Sequence, residues 1–105
     1  MNKENRNFDE MCYELLKKIP KGKVTTYGEI AKALNTKAYR AVGNAMAKNK
    51  NLVVIPCHRV VLSNGEIGGF ALGSEKKVEL LLKEGVAVEN GRVKNFNKVF
   101  HQLST

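Results

Sequence analysis

The pentapeptide Pro-Cys-His-Arg-Val at residues 56–60 places a thiol beside an imidazole inside an apolar stretch. Two large polar side chains, His58 and Arg59, are costly in such a stretch unless they have hydrogen-bonding partners. Imidazole and cationic neighbours also lower the pKa of a thiol from about 8.5, and so make thiolate available. The string therefore predicts that Cys57 is a shielded nucleophile rather than an inert core residue.

A cysteine next to a histidine is typical of covalent catalysis. If this part of the chain is extended, successive side chains point to opposite faces, so Cys57 and His58 would communicate through a water molecule. A third group would then orient the imidazole. Few acidic residues are candidates for that role, and we predict Glu84, at the end of the last predicted helix.

A zinc site is the alternative chemistry for these side chains. Structural zinc needs four ligands at recognisable spacings. The available set (Cys12, Cys57, His58 and His101) contains no Cys-x-x-Cys or His-x-x-x-His pattern. Cys12 also lies on the apolar stripe of a predicted helix, which favours a core position. We therefore expect no metal and no cofactor.

The bulk composition bounds the class of protein. The chain has 105 residues, two cysteines and a formal net charge of +8. This length predicts a single domain over 1–105. The polar N-terminus is unlike a signal peptide, and no apolar run approaches the roughly 20 residues of a membrane span. We expect a cytoplasmic monomer with no membrane partner. The charge suits nucleic acid, although a lysine-rich solvated surface would give the same balance.

The first half of the chain predicts three helices. Apolar residues recur at helical spacing on one face between 8 and 19. Thr26 and Glu29 have the Thr-x-x-Glu spacing of a capping box, which begins a second helix. A polar break at 35–37 precedes a third. Two short helices joined in this way predict a helix-turn-helix over about 27–48.

The outer face of the third helix, over about 38–48, is formed by Arg40, Gly43, Asn44 and Ala47. A glycine inside a helix costs about 0.5–1 kcal/mol relative to alanine. The alternative interpretation is an ordinary exposed helix face, although such faces usually carry Lys and Glu. A smooth face with one arginine favours docking into a groove.

The second half predicts an active-site segment at 52–62, in which a short strand or extended run carries Cys57. A glycine-rich loop follows at 68–73, then a last helix and a small hairpin around Asn90 and Gly91. The basic residues that end the chain are equally consistent with phosphate contacts and with solubility. The fold class we predict is α+β, mainly helical: a winged-helix-like helix-turn-helix DNA-binding domain.

Three blocks of sequence together carry a family resemblance. Residues 56–60, 40–46 and 22–31 resemble the active-site domain of the O6-alkylguanine-DNA alkyltransferases, also called methylated-DNA–protein-cysteine methyltransferases. The resemblance runs from about residue 8 to 85. It implies DNA repair by stoichiometric, irreversible transfer of an alkyl group from O6-alkylguanine in double-stranded DNA to Cys57, with base flipping and without a cofactor.

The same resemblance implies a role for each matching residue. Cys57 would accept the alkyl group, His58 would take the thiol proton through a water, and Glu84 would orient His58. Tyr27 would donate to guanine N3 and turn the phosphate. Arg40 would fill the gap left by the extruded base.

Further positions match supporting parts of the family site. Asn49 would brace the turn into the active-site segment, with Arg59 beside it as a structural residue. The remaining DNA-contacting positions would be Thr26, Gly43, Asn44 and Ala47. The substrate-binding loop would include Gly69, Phe70 and Ala71, with backbone amides near Ala71 facing guanine O6.

The sequence departs from the family pattern at several points. Phe70 stands where many members have tyrosine, and Lys50 where some have proline. Most members carry an additional N-terminal domain, whereas this sequence has almost nothing before the first helix. Three other classes remain as alternatives: a plain helix-turn-helix DNA-binding module, an alkyl-lesion sensor, which would lack Cys57, and a cysteine hydrolase.

Overall fold

The computed structural model describes residues 7–103 as an α+β, mainly helical domain, which confirms the predicted fold class. In chain order the elements are α1 (Phe8–Leu16), β1 (Thr25–Thr26), α2 (Tyr27–Ala33), α3 (Tyr39–Ala47), a 3₁₀ turn (Cys57–Arg59), β2 (Val60–Val61), α4 (Ser74–Lys83), β3 (Val88–Glu89), β4 (Arg92–Val93) and α5 (Phe96–Val99). Between residues 7 and 103, no helix is long and apolar enough to cross a membrane.

Helix α1 supplies one wall of the larger of two buried apolar clusters, which we call the main core. The side chain of Asn7 caps it by accepting a hydrogen bond from the Glu10 amide at 2.8 Å. Its inward stripe buries Cys12 and Leu16 completely. Burial, with the charge of Asp9, raises the pKa of Cys12 to about 11, so this thiol is an inert core group.

Helices α2 and α3 form the predicted helix-turn-helix. The Thr26 hydroxyl caps α2 by accepting from the Glu29 amide at 3.0 Å. Asn35 takes a left-handed conformation (φ 58°) in the break between the helices, where asparagine is tolerated. The inward face of α3 buries Val42 and Ala45, which leaves the opposite face outside the core.

The segment that carries Cys57 joins this unit through a parallel strand pair. Thr25 pairs with Val60 and Thr26 with Val61. The prediction of an extended chain around Cys57 was wrong, because Cys57 lies in the 3₁₀ turn just before β2. The Arg59 amide donates to the Pro56 carbonyl at 3.0 Å and closes this turn. The side chains of Cys57 and His58 therefore do not alternate as in a strand.

Residues 99–103 pack as part of the fold. The Val24 amide donates to the Val99 carbonyl at 2.8 Å, and the His101 amide donates back to Val24 at 2.7 Å. Glu29 accepts from the Leu103 amide at 2.6 Å. The side chain of Leu103 packs against the main core. The C-terminal segment thus lies beside β1 and the start of α2.

We expect Leu103→Ala to lower the free energy of unfolding by about 1–2 kcal/mol, because a half-buried leucine loses its core contacts. Leu82→Ala is the matched control, since Leu82 is 52% exposed and should change stability by less than about 0.5 kcal/mol. Urea denaturation of both variants measures the difference. Equal losses would show that the C-terminal segment does not stabilise the domain.

Candidate active site

Cys57 lies at the wall of a pocket of about 250 Å³ formed with Met46, Ala47, Phe70 and Ala71. The residue itself is only 5% exposed. Two of the lining residues come from α3 and two from the 68–73 loop. The pocket therefore opens between the helix-turn-helix and the predicted binding loop, with the thiol facing it.

Asn49 braces the turn that precedes Cys57. Its side-chain amide donates to the Ile55 carbonyl at 2.9 Å and approaches the Cys57 sulfur at 3.4 Å. Its oxygen accepts from the Asn51 amide at 2.9 Å. A donor placed on sulfur favours thiolate over thiol. Asn49, predicted to brace this turn, therefore contacts both the turn and the sulfur of Cys57.

The resting state of Cys57 is a thiol. Burial raises its pKa above the ordinary value, and this outweighs the opposing effects of the Asn49 hydrogen bond and the charge of Lys77. A thiol that does not ionise by itself at neutral pH needs a base to become a nucleophile.

His58 is the candidate for that base. It is fully buried, and its Nε2 lies 3.0 Å from a Glu84 carboxylate oxygen. The Nδ1 atom makes no hydrogen bond to any residue between 7 and 103. Because an ionised carboxylate only accepts, Nε2 carries the proton and Nδ1 keeps its lone pair. Nδ1 is therefore the atom that can receive a proton.

Arg59 fixes the position of Glu84. Its Nε and one terminal nitrogen donate to the two Glu84 oxygens at 2.8 and 2.7 Å, and its other terminal nitrogen donates to the Ile19 carbonyl at 2.7 Å. Burial acts to raise the pKa of Glu84, but the hydrogen bonds from Arg59 and His58 outweigh it and hold the pKa below its ordinary value. Glu84 thus stays ionised while Arg59 offsets its charge.

The imidazole of His58 is neutral at physiological pH. Burial lowers its pKa below 6.5, Glu84 acts in the opposite direction, and the charges of Arg59 and Lys77 lower it further. The predicted contact between Glu84 and His58 is present. At neutral pH the site therefore holds the Cys57 thiol, the neutral His58 imidazole, the Glu84 carboxylate and the Arg59 guanidinium.

We expect acid to destabilise the domain through His58. Because the folded-state pKa lies below 6.5, the stability that comes from burying a neutral imidazole is complete above pH 6.5 and is lost as the pH falls through the folded-state pKa. Glu84 acts in the same direction below its ordinary pKa of 4.5. Proton NMR titration measures His58 directly, and a His101→Gln variant assigns its resonance. A His58 resonance that titrates above pH 6.5 would contradict this assignment of charge.

Tyr27 begins α2 and packs at the edge of the main core. Burial raises the pKa of its phenol, and the negative charge that Cys57 can carry raises it further. Tyr27 therefore stays protonated and can act as a donor. It also lines an open groove together with Tyr39 and Leu62.

The outer face of α3 presents the residues predicted to meet DNA. Arg40, Asn44 and Ala47 are exposed, and no carboxylate in the described chain forms an ion pair with Arg40. A Cβ placed on Gly43 would meet nothing within 4 Å, so packing inside the domain does not require glycine there. Thr26 differs from the others, because its buried hydroxyl caps α2.

The 68–73 loop closes the other side of the pocket. Gly68 and Gly73 have φ of 72° and 94°, a region that favours glycine. The ring of Phe70 meets the ring of His58 edge-on at 6.4 Å. Gly69 accepts a hydrogen bond from the ammonium of Lys77 at 3.0 Å. Phe70 and Ala71 thus lie at the site as predicted.

Sequence analysis missed Lys77. A lysine in a helix is ordinarily exposed, and this one is fully buried. The one available signal was its spacing, four residues before the buried Leu81 on α4. Among residues 7–103, no group of three histidine, cysteine or acidic side chains could hold a metal ion.

Comparison with known proteins identifies the family. Residues 7–86 match the family model of the 6-O-methylguanine DNA methyltransferase DNA-binding domain. The methylated-DNA–protein-cysteine methyltransferase of Thermococcus kodakarensis is 51% identical over 80 residues, which are 75% of this chain and 45% of that protein. The bifunctional methyltransferase/endonuclease of Picrophilus torridus is 44% identical over 82 residues, 77% of this chain and 28% of that protein.

A solved structure extends the likeness to nearly the whole chain. The structure of Schizosaccharomyces pombe Atl1 in complex with damaged DNA containing O6-carboxymethylguanine superposes with a TM-score of 0.80 at 31% identity, and covers 97% of this chain and 99% of that one. By contrast, the chain spans only 28%, 33% and 53% of three of the curated relatives it matches. The chain belongs to the family of 6-O-methylguanine DNA methyltransferase DNA-binding domains.

Proposed function

We propose that this domain repairs O6-alkylguanine in double-stranded DNA by a single, irreversible transfer of the alkyl group to Cys57, as a methylated-DNA–[protein]-cysteine S-methyltransferase. One observation carries the proposal: the Cys57 thiol faces an open pocket beside the helix-turn-helix and is followed by a His58–Glu84–Arg59 chain of hydrogen bonds. Several curated relatives are named for this activity.

The chemistry follows from the charges at the site. The Cys57 sulfur attacks the alkyl carbon, the new S–C bond forms, and the C–O6 bond breaks with its electrons going to guanine. The thiol proton passes through a water to Nδ1 of neutral His58, while Tyr27 donates a proton at guanine N3. His58 then returns a proton to Tyr27 through solvent, so the net result moves one proton from Cys57 to guanine. The thioether is stable, so each chain reacts once.

The target atom lies inside the duplex, so the nucleotide must leave the stack to reach the pocket. Extrusion costs a few kcal/mol, and less when alkylation has weakened the pair. Arg40 can enter the gap, because it is exposed and has no carboxylate partner in the described chain. Gly43 and Ala47 let the backbone of α3 approach the DNA closely. Few base-reading side chains lie on this face, which suits lesions in any sequence.

The proposal extends to the loop and to the state of the protein. Backbone amides near Ala71 would face guanine O6, with Gly69 and Phe70 forming the wall. The domain would act as a monomer in the cytoplasm without a cofactor.

Intact-protein mass spectrometry tests the transfer. After mixing with a duplex that contains O6-methylguanine, the protein should gain about 14 Da, at most once per chain. Cys57→Ala should show no gain. Cys12→Ala is the matched control and should still gain the methyl group, because Cys12 is a core residue.

Lesion binding without transfer is the second candidate function. The overlap of nearly the full chain with a protein bound to damaged DNA favours it. Tight binding to the lesion without a mass change would establish this function and refute the proposed alkyl transfer. Absence of both would overturn each of them.

A further inference from the structure

Lys77 is the largest fully buried side chain of the described residues. Its ammonium donates to the Val60 carbonyl at 2.7 Å and to the Gly69 carbonyl at 3.0 Å. Val60 follows the Cys57 turn directly, and Gly69 belongs to the loop across the pocket. One charged group therefore joins the two segments that face each other over the thiol.

This ammonium has no carboxylate beside it. None of the ion pairs found between residues 7 and 103 involves Lys77. Burial lowers its pKa to about 8, and the charge that Cys57 can carry acts in the opposite direction. A buried cation is costly unless it is paired and hydrogen-bonded. Two carbonyls accept two of its three N–H donors, and the anion that can supply the pairing is a thiolate at Cys57.

We propose that Lys77 is a positioning residue of the transfer site: it holds the 68–73 loop against the Cys57 segment and places the positive charge of its ammonium near the thiolate as it forms. This inference rests on the proposed function. In the transfer Lys77 keeps its proton, since the proton that leaves sulfur passes to His58. Its charge stabilises the thiolate until the S–C bond forms and the sulfur becomes neutral.

The inference differs from a purely structural role. A lysine that only tied two carbonyls together would hold the loop but leave the ionisation of Cys57 unchanged. A lysine that acts by its charge links the two titrations. The other titratable or charged groups around Cys57 are Tyr27, whose pKa a Cys57 thiolate raises, and neutral His58, whose pKa Lys77 lowers. Glu84 and Arg59 lie behind His58.

Linked titration gives a signature in the unmodified protein. Below about pH 8 the thiolate fraction of Cys57 rises with pH beside a charged Lys77. Above that pH Lys77 loses its proton, so any additional Cys57 thiolate would form beside a neutral Lys77. The reactivity of Cys57 should therefore rise up to about pH 8 and then level off before it rises again.

The experiment measures the rate of Cys57 alkylation by iodoacetamide across this pH range, with peptide mass mapping to separate Cys57 from Cys12. Lys77→Met removes both the charge and the hydrogen bonds, and Lys77→Gln removes the charge while keeping a donor. Lys76→Met, the neighbour that is 40% exposed, is the control. Hydrogen exchange of residues 68–73 reports on the loop.

We expect both Lys77 variants to react about tenfold more slowly near pH 7, which corresponds to a thiol pKa raised by about one unit, and to lose the plateau. Loop exchange should speed up more in Lys77→Met than in Lys77→Gln, and Lys76→Met should match the unmodified protein. An unchanged reactivity profile in the variants overturns the inference. If neither variant folds, an unmodified protein without the plateau overturns it, and one with the plateau supports it.

This assay contains no DNA, so it stands apart from the proposed function. A protein that shows the Lys77 signature but gains no methyl group from the duplex would refute the transfer and leave the link between Lys77 and Cys57 intact. A protein that gains the methyl group but lacks the signature would refute only the role of Lys77.

Discussion

Glu84→Gln is expected to slow alkyl transfer to Cys57 by at least about 100-fold, the lower range for loss of general base catalysis. The carboxylate accepts from Nε2 of His58 at 3.0 Å and so leaves Nδ1 as the basic atom. An amide can present its NH₂ group to Nε2 and favour the wrong tautomer. It also removes the negative charge that offsets Arg59, which would lower the basicity of the imidazole further.

The same substitution breaks a nearly buried ion pair. Arg59 and Glu84 have side chains that are 14% and 11% exposed, and their closest contact is 2.7 Å. Removing one partner of such a pair costs about 3 kcal/mol or more, because the other charge is left unpaired. Part of any loss of activity would then come from unfolding, so the transfer rates must be measured at a temperature at which the variant is folded.

Single-turnover rates on a lesion-containing duplex, with urea denaturation of the same samples, separate the two effects. Glu79→Gln is the matched control, because Glu79 lies on α4, just before Glu84, and its ion pairs within residues 7–103 are with solvent-accessible lysines. It should change neither quantity measurably. A folded Glu84→Gln protein that transfers at the normal rate would remove Glu84 from the mechanism and leave it a structural role.

The opposing pKa shifts around the site explain why this chain of groups is needed. Burial raises the pKa of Cys57 and lowers that of His58, so both groups are neutral in the resting protein. Moving a proton between them creates an ion pair inside the protein. Asn49 at 3.4 Å from the sulfur, and Glu84 at 3.0 Å from the imidazole, stabilise the two charges that appear. Under the proposed mechanism, the thiolate therefore forms only as its proton passes to His58.

The parts of this site that could be predicted are those encoded by local spacing. The capping pair Thr26 and Glu29 and the apolar stripe of α3 fix the helix-turn-helix through contacts three and four residues apart. The Cys57–His58 pair is visible because polar residues interrupt an apolar run. Glu84 was predicted because few acidic residues were candidates for orienting His58. The contact between Glu84 and His58 itself depends on the whole fold.

The parts that could not be predicted depend on groups distant in sequence. The family resemblance assigned Asn49 to the turn before Cys57, but its contacts with the Ile55 carbonyl and the Cys57 sulfur depend on how that turn folds. Burial of Lys77 requires carbonyls from β2 and from the loop to meet at one point. Leu103 reaches Glu29 across 74 positions of sequence. No spacing rule connects such residues, so these contacts became visible only in the structure.

Arg40→Ala is expected to slow transfer from duplex DNA by about 100-fold while leaving the reaction with a free O6-alkylguanine base within about threefold of normal. The reason is thermodynamic: extruding a nucleotide costs a few kcal/mol, and each 1.36 kcal/mol corresponds to about a tenfold change in rate. A free base needs no extrusion. Arg40 is exposed near the start of α3, whereas Cys57 is buried beside Met46 and Ala47 at the other end of that helix.

Mass spectrometry of the protein after timed mixing measures both reactions, with O6-methylguanine in a duplex and O6-benzylguanine as the free base. Arg92→Ala is the matched control, because Arg92 is an exposed arginine in β4 that pairs with Glu66 at 3.5 Å. It removes the same charge from the protein without touching α3. Equal losses in the two variants would mean that Arg40 acts only through net charge, and an equal loss on duplex and free base would place Arg40 in the chemistry rather than in the extrusion of the base.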